Sequence, residues 1–221
     1  MKIRLLDTVQ ETITLVSQLK SAGASLVAIH ARYRASFERS GPSARDGAAM
    51  LDQVKTIKEK FPSFPIISNG NIITFSDCTA NLELTRADGV MSAEGILNNP
   101  ALFVDAIPDP AKRDSLKAVA SDKVNLALEY LDLVKEFPAT IRTVAFHTRR
   151  MLKDPLTKFQ LFDDVINSKT TDKVRSLVLK CRDYQKDPTL FQFDSDKAAK
   201  AKEALEKKKH EEGKRKRYED R

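Results

Sequence analysis

The sequence predicts an α/β fold for the first half of the chain and an all-helical fold for most of the rest. In the first hundred residues, short apolar runs alternate with stretches whose apolar residues recur at helical spacing, which is typical of parallel βαβ units. Beyond Pro110 only the helical spacing continues. We therefore expect an α/β domain over residues 1–110, a helical domain over residues 111–194 and a charged tail over residues 195–221.

Four strand–helix units make up the predicted α/β domain. The strands are predicted at Lys2–Leu6, Ser25–Ile29, Phe64–Ser68 and Ala87–Met91. The helices between them are predicted over Thr8–Lys20, over Met50–Ile57 and from an N-cap at Ser76. A strand, a helix and the next parallel strand form one βαβ unit, so the four strands are expected to lie parallel in one sheet.

Four apolar helical faces make up the predicted helical domain. They span Val124–Val134, Ile141–Met151, Phe159–Ile166 and Val174–Cys181. The tail after Asp194 has almost no apolar residues, so it cannot bury a core and is either a solvated helix or disordered.

Composition excludes several classes of protein. The 221 residues carry a formal charge of +7, but four of these charges lie in the tail, so the body is not a uniformly basic nucleic-acid-binding surface. Two cysteines do not make a disulfide scaffold, and three histidines exclude a His-rich metal site. No apolar run is long enough to cross a bilayer, and the first residues do not resemble a signal peptide. We expect a cytoplasmic or nuclear protein with no membrane contact.

Polar residues follow three of the predicted strands, where α/β enzymes place their ligands. His30 and Arg32 follow the second strand, Asn69–Asn71 the third and Ser92–Gly95 the fourth. The last two loops have the small residues of a phosphate cradle, although Asn-Gly is also a common turn. His30 has a structural alternative as a histidine hydrogen-bonded to backbone. Lys2 either meets an anion at the head of its strand or extends into solvent.

Four segments within residues 2–103 carry a family pattern: KIRLL, AGASLVAIHAR, PIISNGNI and ADGVMSAEGILNNPALF. Together they resemble the tRNA-dihydrouridine synthase family, in particular its eukaryotic branch acting on the D-loop. The segments EYL (129–131) and RTVAFHTRRML (142–152) resemble the family's helical domain more loosely.

The resemblance implies an FMN enzyme whose (β/α)₈ TIM barrel precedes a helical tRNA-binding domain. Reduced flavin gives a hydride to C6 of a uridine in tRNA, a cysteine protonates C5, and NADPH reduces the flavin again. The implied cofactor-binding residues are Lys2, His30, Asn69, Gly70, Asn71, Ala93 and Glu94. The implied tRNA contacts are Arg32, Arg142, Arg149 and Arg150.

The sequence departs from the family pattern at three places. Ala31 and Tyr33 stand where the family has Gly and Thr, and Ala93-Glu94 stands where many members have Gly-Arg. An acid beside a phosphate is unfavourable, so main-chain groups are expected to bind it. KIR is typical of the fifth barrel strand.

The first four barrel strands and the loop with the protonating cysteine are therefore expected to be missing from this chain. Cys78 and Cys181 are expected to pack as small apolar residues, so no catalytic residue is assigned. The resemblance thus predicts the C-terminal half of a TIM barrel, a helical domain and a basic tail. The other half is expected from a longer chain or a partner, because a half barrel leaves open edges and an uncovered inner face. Ile3, Leu5, Val27, Ile29, Ile66 and Val90 are expected on that face, partly in water.

Alternative interpretations stay open. The basic run Arg142–Lys153, predicted on one helix, contacts RNA phosphates or is a solvated helix face. Arg34, Arg39 and Arg45 are expected at the mouth of the pocket. Lys214–Arg217 is a nuclear address, an RNA-binding arm or a solubilising segment. The chain as a whole is alternatively a catalytically inactive tRNA-binding module or another FMN-binding TIM-barrel oxidoreductase.

Overall fold

A computed structural model of the chain describes residues 1–33, 47–199, 203 and 206. It divides into two compact units, Met1–Lys117 and Ala118–Arg221, which are described separately below. The predicted pocket-mouth arginines at positions 34, 39 and 45 lie outside the described residues, as does the run at 214–217. The domain limits expected from the sequence stay a prediction.

The first unit is built on a parallel sheet of four strands in the order β1-β2-β3-β4, which confirms the α/β prediction. The strands are β1 (Lys2–Leu5), β2 (Val27–Tyr33), β3 (Ile66–Asn69) and β4 (Gly89–Met91). The helices that follow them are α1 (Val9–Ser21), α2 (Leu51–Lys60), α3 (Phe75–Thr85) and α4 (Glu94–Asn98). A 3₁₀ turn at Val104–Ala106 comes next.

Strand β2 is longer than the sequence predicted. It continues past Ile29 to Tyr33, because its second half pairs with β1: His30 lies opposite Arg4, and Tyr33 lies opposite Leu5 after a shift in register. His30 and Arg32 are therefore strand residues, where the sequence placed them in the following loop. Their side chains point to one face of the sheet because strand side chains alternate.

The N-cap of helix α3 lies two residues before the cap predicted at Ser76. Thr74 is the N-cap: its hydroxyl accepts a hydrogen bond from the Asp77 amide, and Asp77 Oδ2 accepts from Thr74 N at 2.7 Å. This reciprocal capping box satisfies two backbone donors that the helix itself leaves unpaired. The prediction of a cap at Ser76 was wrong, because Thr74 and the acid three residues later satisfy both of these backbone donors.

Helices cover the apolar face of the sheet. Leu5, Val27, Ile29 and Ile66 have no exposed surface and pack with residues of α1 and α2 such as Val16 and Ile57. The expectation that residues of this face partly face water was therefore wrong for these four, whereas Ile3 and Val90 are partly exposed. The two-residue strand period sends them to the helix side and sends Lys2, Arg4, His30 and Asn69 to the opposite face. This opposite face, called the polar face below, therefore carries most of the charged and polar strand side chains, beside the apolar Ala28, Ile67 and Met91.

A buried lysine ties α2 to the start of β4. Lys58 Nζ donates to Asp88 Oδ2 at 2.8 Å and to the carbonyls of Pro62 and Phe64. Asp88 Oδ2 also accepts from the Ile66 amide at 2.7 Å. Because Lys58 is 7% exposed, these three acceptors compensate the cost of burying its charge.

Helix α5 (Pro110–Ala120) contains the boundary between the units and has no buried residue. The helices that pack around one apolar core in the second unit are α6 (Lys123–Glu136), α7 (Ile141–Met151), α8 (Lys153–Lys158), α9 (Phe162–Ile166) and α10 (Thr171–Lys186). The core includes Leu131, Val144, Leu152, Leu156 and Val178, none of which is exposed. A 3₁₀ turn at Pro188–Leu190 follows α10.

Two details of the helical prediction were wrong. The short helix expected over Phe159–Ile166 is only α9, Phe162–Ile166, because α8 ends at Lys158 and Gln160 has a left-handed φ of 54° that breaks helical geometry between them. Lys153 begins α8, whereas Arg142 lies on α7, so the prediction that one helix carries both residues was wrong. Among the described residues, no helix is both long and apolar enough to cross a membrane.

Candidate active site

A cleft of about 920 Å³ lies over the polar face of the sheet and reaches its carboxyl edge. It brings together residues from all four strands and the loops after β3 and β4. Every residue predicted to bind the cofactor lines it, as does Arg32: Lys2, His30, Asn69, Gly70, Asn71, Ala93 and Glu94. Their roles stay predictions. The loop residues meet because the carboxyl ends of parallel strands lie at one edge, and Lys2 lines the cleft because it shares the polar face with Arg4 and His30.

Positive charge dominates the strands that line this cleft. Lys2 and Arg4 enter from β1 and Arg32 from β2, and all three surround His30. Burial, followed by Arg4, Arg32 and Lys2 in that order, lowers the pKa of His30 from 6.5 to about 4. His30 is therefore neutral at physiological pH, because an added proton would be poorly hydrated and repelled by three cations.

Sequence reasoning missed Arg4 and Met91 as lining residues. Arg4 lies two positions after Lys2 on β1, so the strand period alone places both on one face. Met91 ends β4 and lies in register with Asn69. The strand period in the sequence predicts that Arg4 shares a face with Lys2. It does not show which face of the sheet the helices leave uncovered.

Arg32 is held by three hydrogen bonds from three different nitrogens. Nη1 contacts His30 Nε2 at 3.0 Å, Nη2 donates to Asn71 Oδ1 at 2.8 Å, and Nε donates to the Gly47 carbonyl at 2.6 Å. A guanidinium has five N–H groups, so two have no acceptor among the described residues. Arg32 is thus a fixed part of the cleft wall.

The backbone and hydrogen bonds of the turn after β3 require the residue types found at positions 69–71. Asn69 Nδ2 donates to the Met91 carbonyl at 2.7 Å, which joins the ends of β3 and β4. Gly70 has a φ of 147°, and a Cβ there would lie 2.7 Å from Ala49 Cβ. Asn71 follows at a left-handed φ of 57°, which asparagine tolerates better than most residues. Asn71 Oδ1 also accepts from the Ala49 amide.

The loop after β4 packs directly on the loop after β3. Ser92 Oγ donates to the Ile72 carbonyl at 2.7 Å. A Cβ on Gly95 would lie 2.7 Å from that same carbonyl oxygen, so only glycine allows this approach. The contact sets Ala93 and the exposed Glu94 at the cleft wall.

Two acids line the cleft beside the cations. Asp77 accepts hydrogen bonds from the Ile73 and Thr74 amides, chiefly from Thr74, which lower the pKa of its carboxyl. The carboxylate of Asp77 is thus already hydrogen-bonded to backbone amides at the N-terminus of α3. Glu94 is exposed. The cleft can therefore hold an anionic ligand among Lys2, Arg4 and Arg32.

Of the four arginines predicted to contact tRNA, Arg32 lines the cleft, and the other three lie in the second unit on α7. Arg142 is exposed, and Arg149 lies seven residues later on the same helix, where its guanidinium carbon is 5.3 Å from the Phe146 ring centroid. Arg150 is partly buried on the next helical position. Two of the three predicted contacts on α7, Arg142 and Arg149, therefore share one helix face.

Both cysteines are buried, as expected. Burial raises the pKa of the Cys78 thiol, and burial together with Asp122 raises that of Cys181 to about 11. Both thiols stay protonated and inaccessible at neutral pH. The described residues hold no group of three potential metal ligands.

Comparison with known proteins identifies the family. The family model described as dihydrouridine synthase matches residues 1–186. A Mus musculus relative, tRNA-dihydrouridine(16/17) synthase [NAD(P)(+)]-like, is 32% identical over 187 residues, which cover 82% of this chain and 35% of the relative. The tRNA-dihydrouridine(16/17) synthase [NAD(P)(+)] of Schizosaccharomyces pombe is 33% identical over 137 residues, 62% of this chain and 32% of the relative.

A human relative also carries the name of a tRNA-dihydrouridine synthase. The tRNA-dihydrouridine(20a/20b) synthase [NAD(P)+]-like protein of Homo sapiens is 34% identical over 128 residues, covering 58% of this chain and 36% of the relative. The chain thus spans about a third of the length of these relatives. A family model that matches residues 1–186 of 221 decides the matter: the chain belongs to the dihydrouridine synthase family.

Proposed function

We propose that this chain is part of an FMN-dependent tRNA-dihydrouridine synthase that reduces the C5–C6 bond of uridines in the tRNA D-loop, with NADPH as electron source. The observation that supports this most strongly is the cleft in which Lys2 and Arg4 flank a neutral His30. The cytoplasm or the nucleus is the proposed site of action, because tRNA is the proposed substrate.

The residues of the cleft fit a flavin mononucleotide. A flavin ring gains negative charge on reduction, and cations near its pyrimidine end favour that charge. Lys2 and Arg4 supply such cations, and neutral His30 supplies a ring N–H. When bound, FMN would supply the hydride that reduces the uridine.

Main-chain groups are proposed to bind the phosphate. Gly70 and Gly95 stand where a Cβ would collide with neighbouring atoms, so the backbone at Asn69–Asn71 and Ala93–Glu94 reaches the cleft wall. Backbone N–H groups bind anions without a cationic side chain. Glu94 does not prevent this, because it is exposed and need not turn toward the ligand.

Protonation of uridine C5 requires a proton donor at the cleft, and neither thiol of the described residues can serve, because Cys78 and Cys181 are buried and do not line the cleft. We propose that the donor belongs to a further barrel half, from a longer chain or a partner, that lies over the polar face of the sheet. The edge strands β1 and β4 would each gain a neighbour in that arrangement.

Residues 111–194 are proposed as the tRNA-binding domain. Arg142 and Arg149 on one face of α7, with Arg150 beside them, would contact backbone phosphates. The two N–H groups of Arg32 that have no acceptor in the part of the chain the structure describes would do so at the cleft. The tail over 195–221 adds positive charge that favours a polyanion.

A second candidate function is a catalytically inactive tRNA-binding module. It is favoured by one observation, the burial of both thiols of the chain. The two candidates differ in flavin binding, because an inactive module needs no flavin.

Titration of the purified 221-residue chain with FMN tests the proposal. We expect saturable, one-to-one quenching of flavin fluorescence and at least tenfold weaker binding by Lys2→Met, because the cation beside the flavin is lost. Lys55→Met is the matched control: it removes the same charge from an exposed position on α2, away from the cleft. Equal affinities of both variants would contradict the assigned site, and absence of binding would contradict a flavin site formed by this chain alone.

A further inference from the structure

We propose that Arg32 is a positioning residue that fixes the tautomer of His30, placing the imidazole proton on Nδ1. Arg32 Nη1 lies 3.0 Å from His30 Nε2. A guanidinium carries donors only and stays protonated in proteins. His30 Nε2 must therefore accept, and a nitrogen that accepts carries no proton. A neutral imidazole has one N–H, which leaves Nδ1 as its position.

Three anchors keep the guanidinium where it can impose this choice. Nε donates to the Gly47 carbonyl at 2.6 Å, and Nη2 donates to Asn71 Oδ1 at 2.8 Å. Asn71 is itself constrained, because its left-handed backbone turns the side chain toward Arg32 and the Ala49 amide. A lysine could satisfy one of these acceptors as a point charge, but it lacks the planar fork that reaches all three.

The charges around His30 keep it neutral, which the tautomer requires. Arg4 and Lys2 face it from β1 and Arg32 from its own strand, while β3 contributes the uncharged Asn69 in register. The carboxylates of the cleft are Asp77, engaged by backbone amides, and the exposed Glu94. The three cations oppose protonation of His30, so one N–H remains.

The consequence concerns the kind of ligand atom the cleft accepts. Within the described residues, no hydrogen bond of Nδ1 accompanies the one at Nε2. Nδ1–H is thus a donor that pairs with a carbonyl oxygen or an unprotonated ring nitrogen, and it repels a ligand N–H. Its use by a ligand rests on the proposed function, whereas the tautomer is a property of the protein alone.

Long-range ¹H–¹⁵N correlation spectra of the ligand-free 221-residue chain test the inference. Loss of one imidazole pattern in His30→Gln assigns the signal among the three histidines. We expect the Nδ1–H pattern for His30 in the wild-type chain, persisting well below pH 6.5. The Nε2–H pattern, or an average of both tautomers, would overturn the inference whatever the chain does with flavin.

Two variants separate the hydrogen bond from the charge. Arg32→Met should change His30 to the Nε2–H tautomer and raise its titration midpoint toward 6.5. Arg4→Met removes a charge that also lowers the pKa of His30, and it should raise the midpoint while the Nδ1–H tautomer stays. Identical spectra for the two variants would contradict a positioning role. The wild-type spectrum decides the tautomer even if a variant does not fold.

Discussion

The side-chain amide of Asn69 donates to the backbone carbonyl of Met91 at 2.7 Å and so joins the last residues of β3 and β4. Asn69 is 6% exposed, and its backbone is already in register with Met91. The extra bond holds together the two strand ends from which the loops at the cleft wall begin. The geometry of both loops therefore depends on one amide.

Replacing Asn69 should loosen this edge of the sheet. Asn69→Ala leaves the Met91 carbonyl without this partner, and we expect a loss of about 1–2 kcal/mol in the free energy of unfolding. Urea denaturation measures it. Asn125→Ala, on the exposed surface of α6, is the control and should stay within about 0.5 kcal/mol. Equal losses in both variants would show that the Asn69 bond contributes nothing specific.

Gly70 should tolerate no side chain. Gly70→Ala combines an unfavourable φ with a Cβ only 2.7 Å from Ala49 Cβ, so we expect a loss of about 2–3 kcal/mol. Gly23→Ala is a matched control, since its φ is also positive but no atom lies within 4 Å of the new Cβ. It should cost about 1 kcal/mol. A smaller loss at position 70 than at position 23 would contradict the close approach.

Stability should fall on mild acidification because of His30. Its pKa is about 4 in the folded chain and near 6.5 when unfolded, so the unfolded state binds more protons between these values. The contribution is complete above pH 6.5 and is lost as the pH falls toward 4. Because His30 takes up one proton, it can change the free energy of unfolding by at most about 1.4 kcal/mol per pH unit. Solvent screening lowers this value, because the group is partly exposed.

Thermal unfolding between pH 7 and pH 4.5 measures this dependence. Asp77 and Asp88 have lowered pKa values, so their contributions are lost only below about pH 4. His30→Gln should therefore flatten the slope within the window. A variant with the wild-type slope would show that His30 does not produce it.

Asp88 should contribute more to the free energy of unfolding than its exposure suggests, because it pairs with the buried ammonium of Lys58. Asp88→Ala removes an acceptor from Lys58 and from the Ile66 amide at once, and we expect a loss of about 1–3 kcal/mol in the free energy of unfolding. In the Lys58→Met background the same change should cost less, because no buried charge is left unpaired. Equal costs in both backgrounds would contradict the coupling.

Local signals in the sequence predicted the strands and helices, and family motifs predicted which residues share the cleft. Apolar spacing found β1 to β4 within a few residues, because each strand is a short apolar run between polar loops. The same signals assigned Leu5 and Ile29 to the wrong face, since a run of apolar residues does not reveal which face the helices cover. Once Leu5 faces the helices, Arg4 must face the cleft.

The contacts of Arg32 lay beyond prediction for a different reason. Its partners Gly47 and Asn71 are 15 and 39 residues away in sequence, and only the assembled sheet brings them together. The sequence indicated an arginine beside a ligand site. It carried no sign that three of its donors would be used inside the protein, because hydrogen bonds between distant residues leave no periodic pattern.

The most direct test of the proposed function is the dihydrouridine content of tRNA from cells in which the gene encoding this chain is deleted, mapped position by position. We expect loss of dihydrouridine at one or more D-loop positions. The intact gene and its Lys55→Met variant should restore it, and the Lys2→Met variant should not. Normal dihydrouridine at every D-loop position in the deletion cells would contradict the assignment.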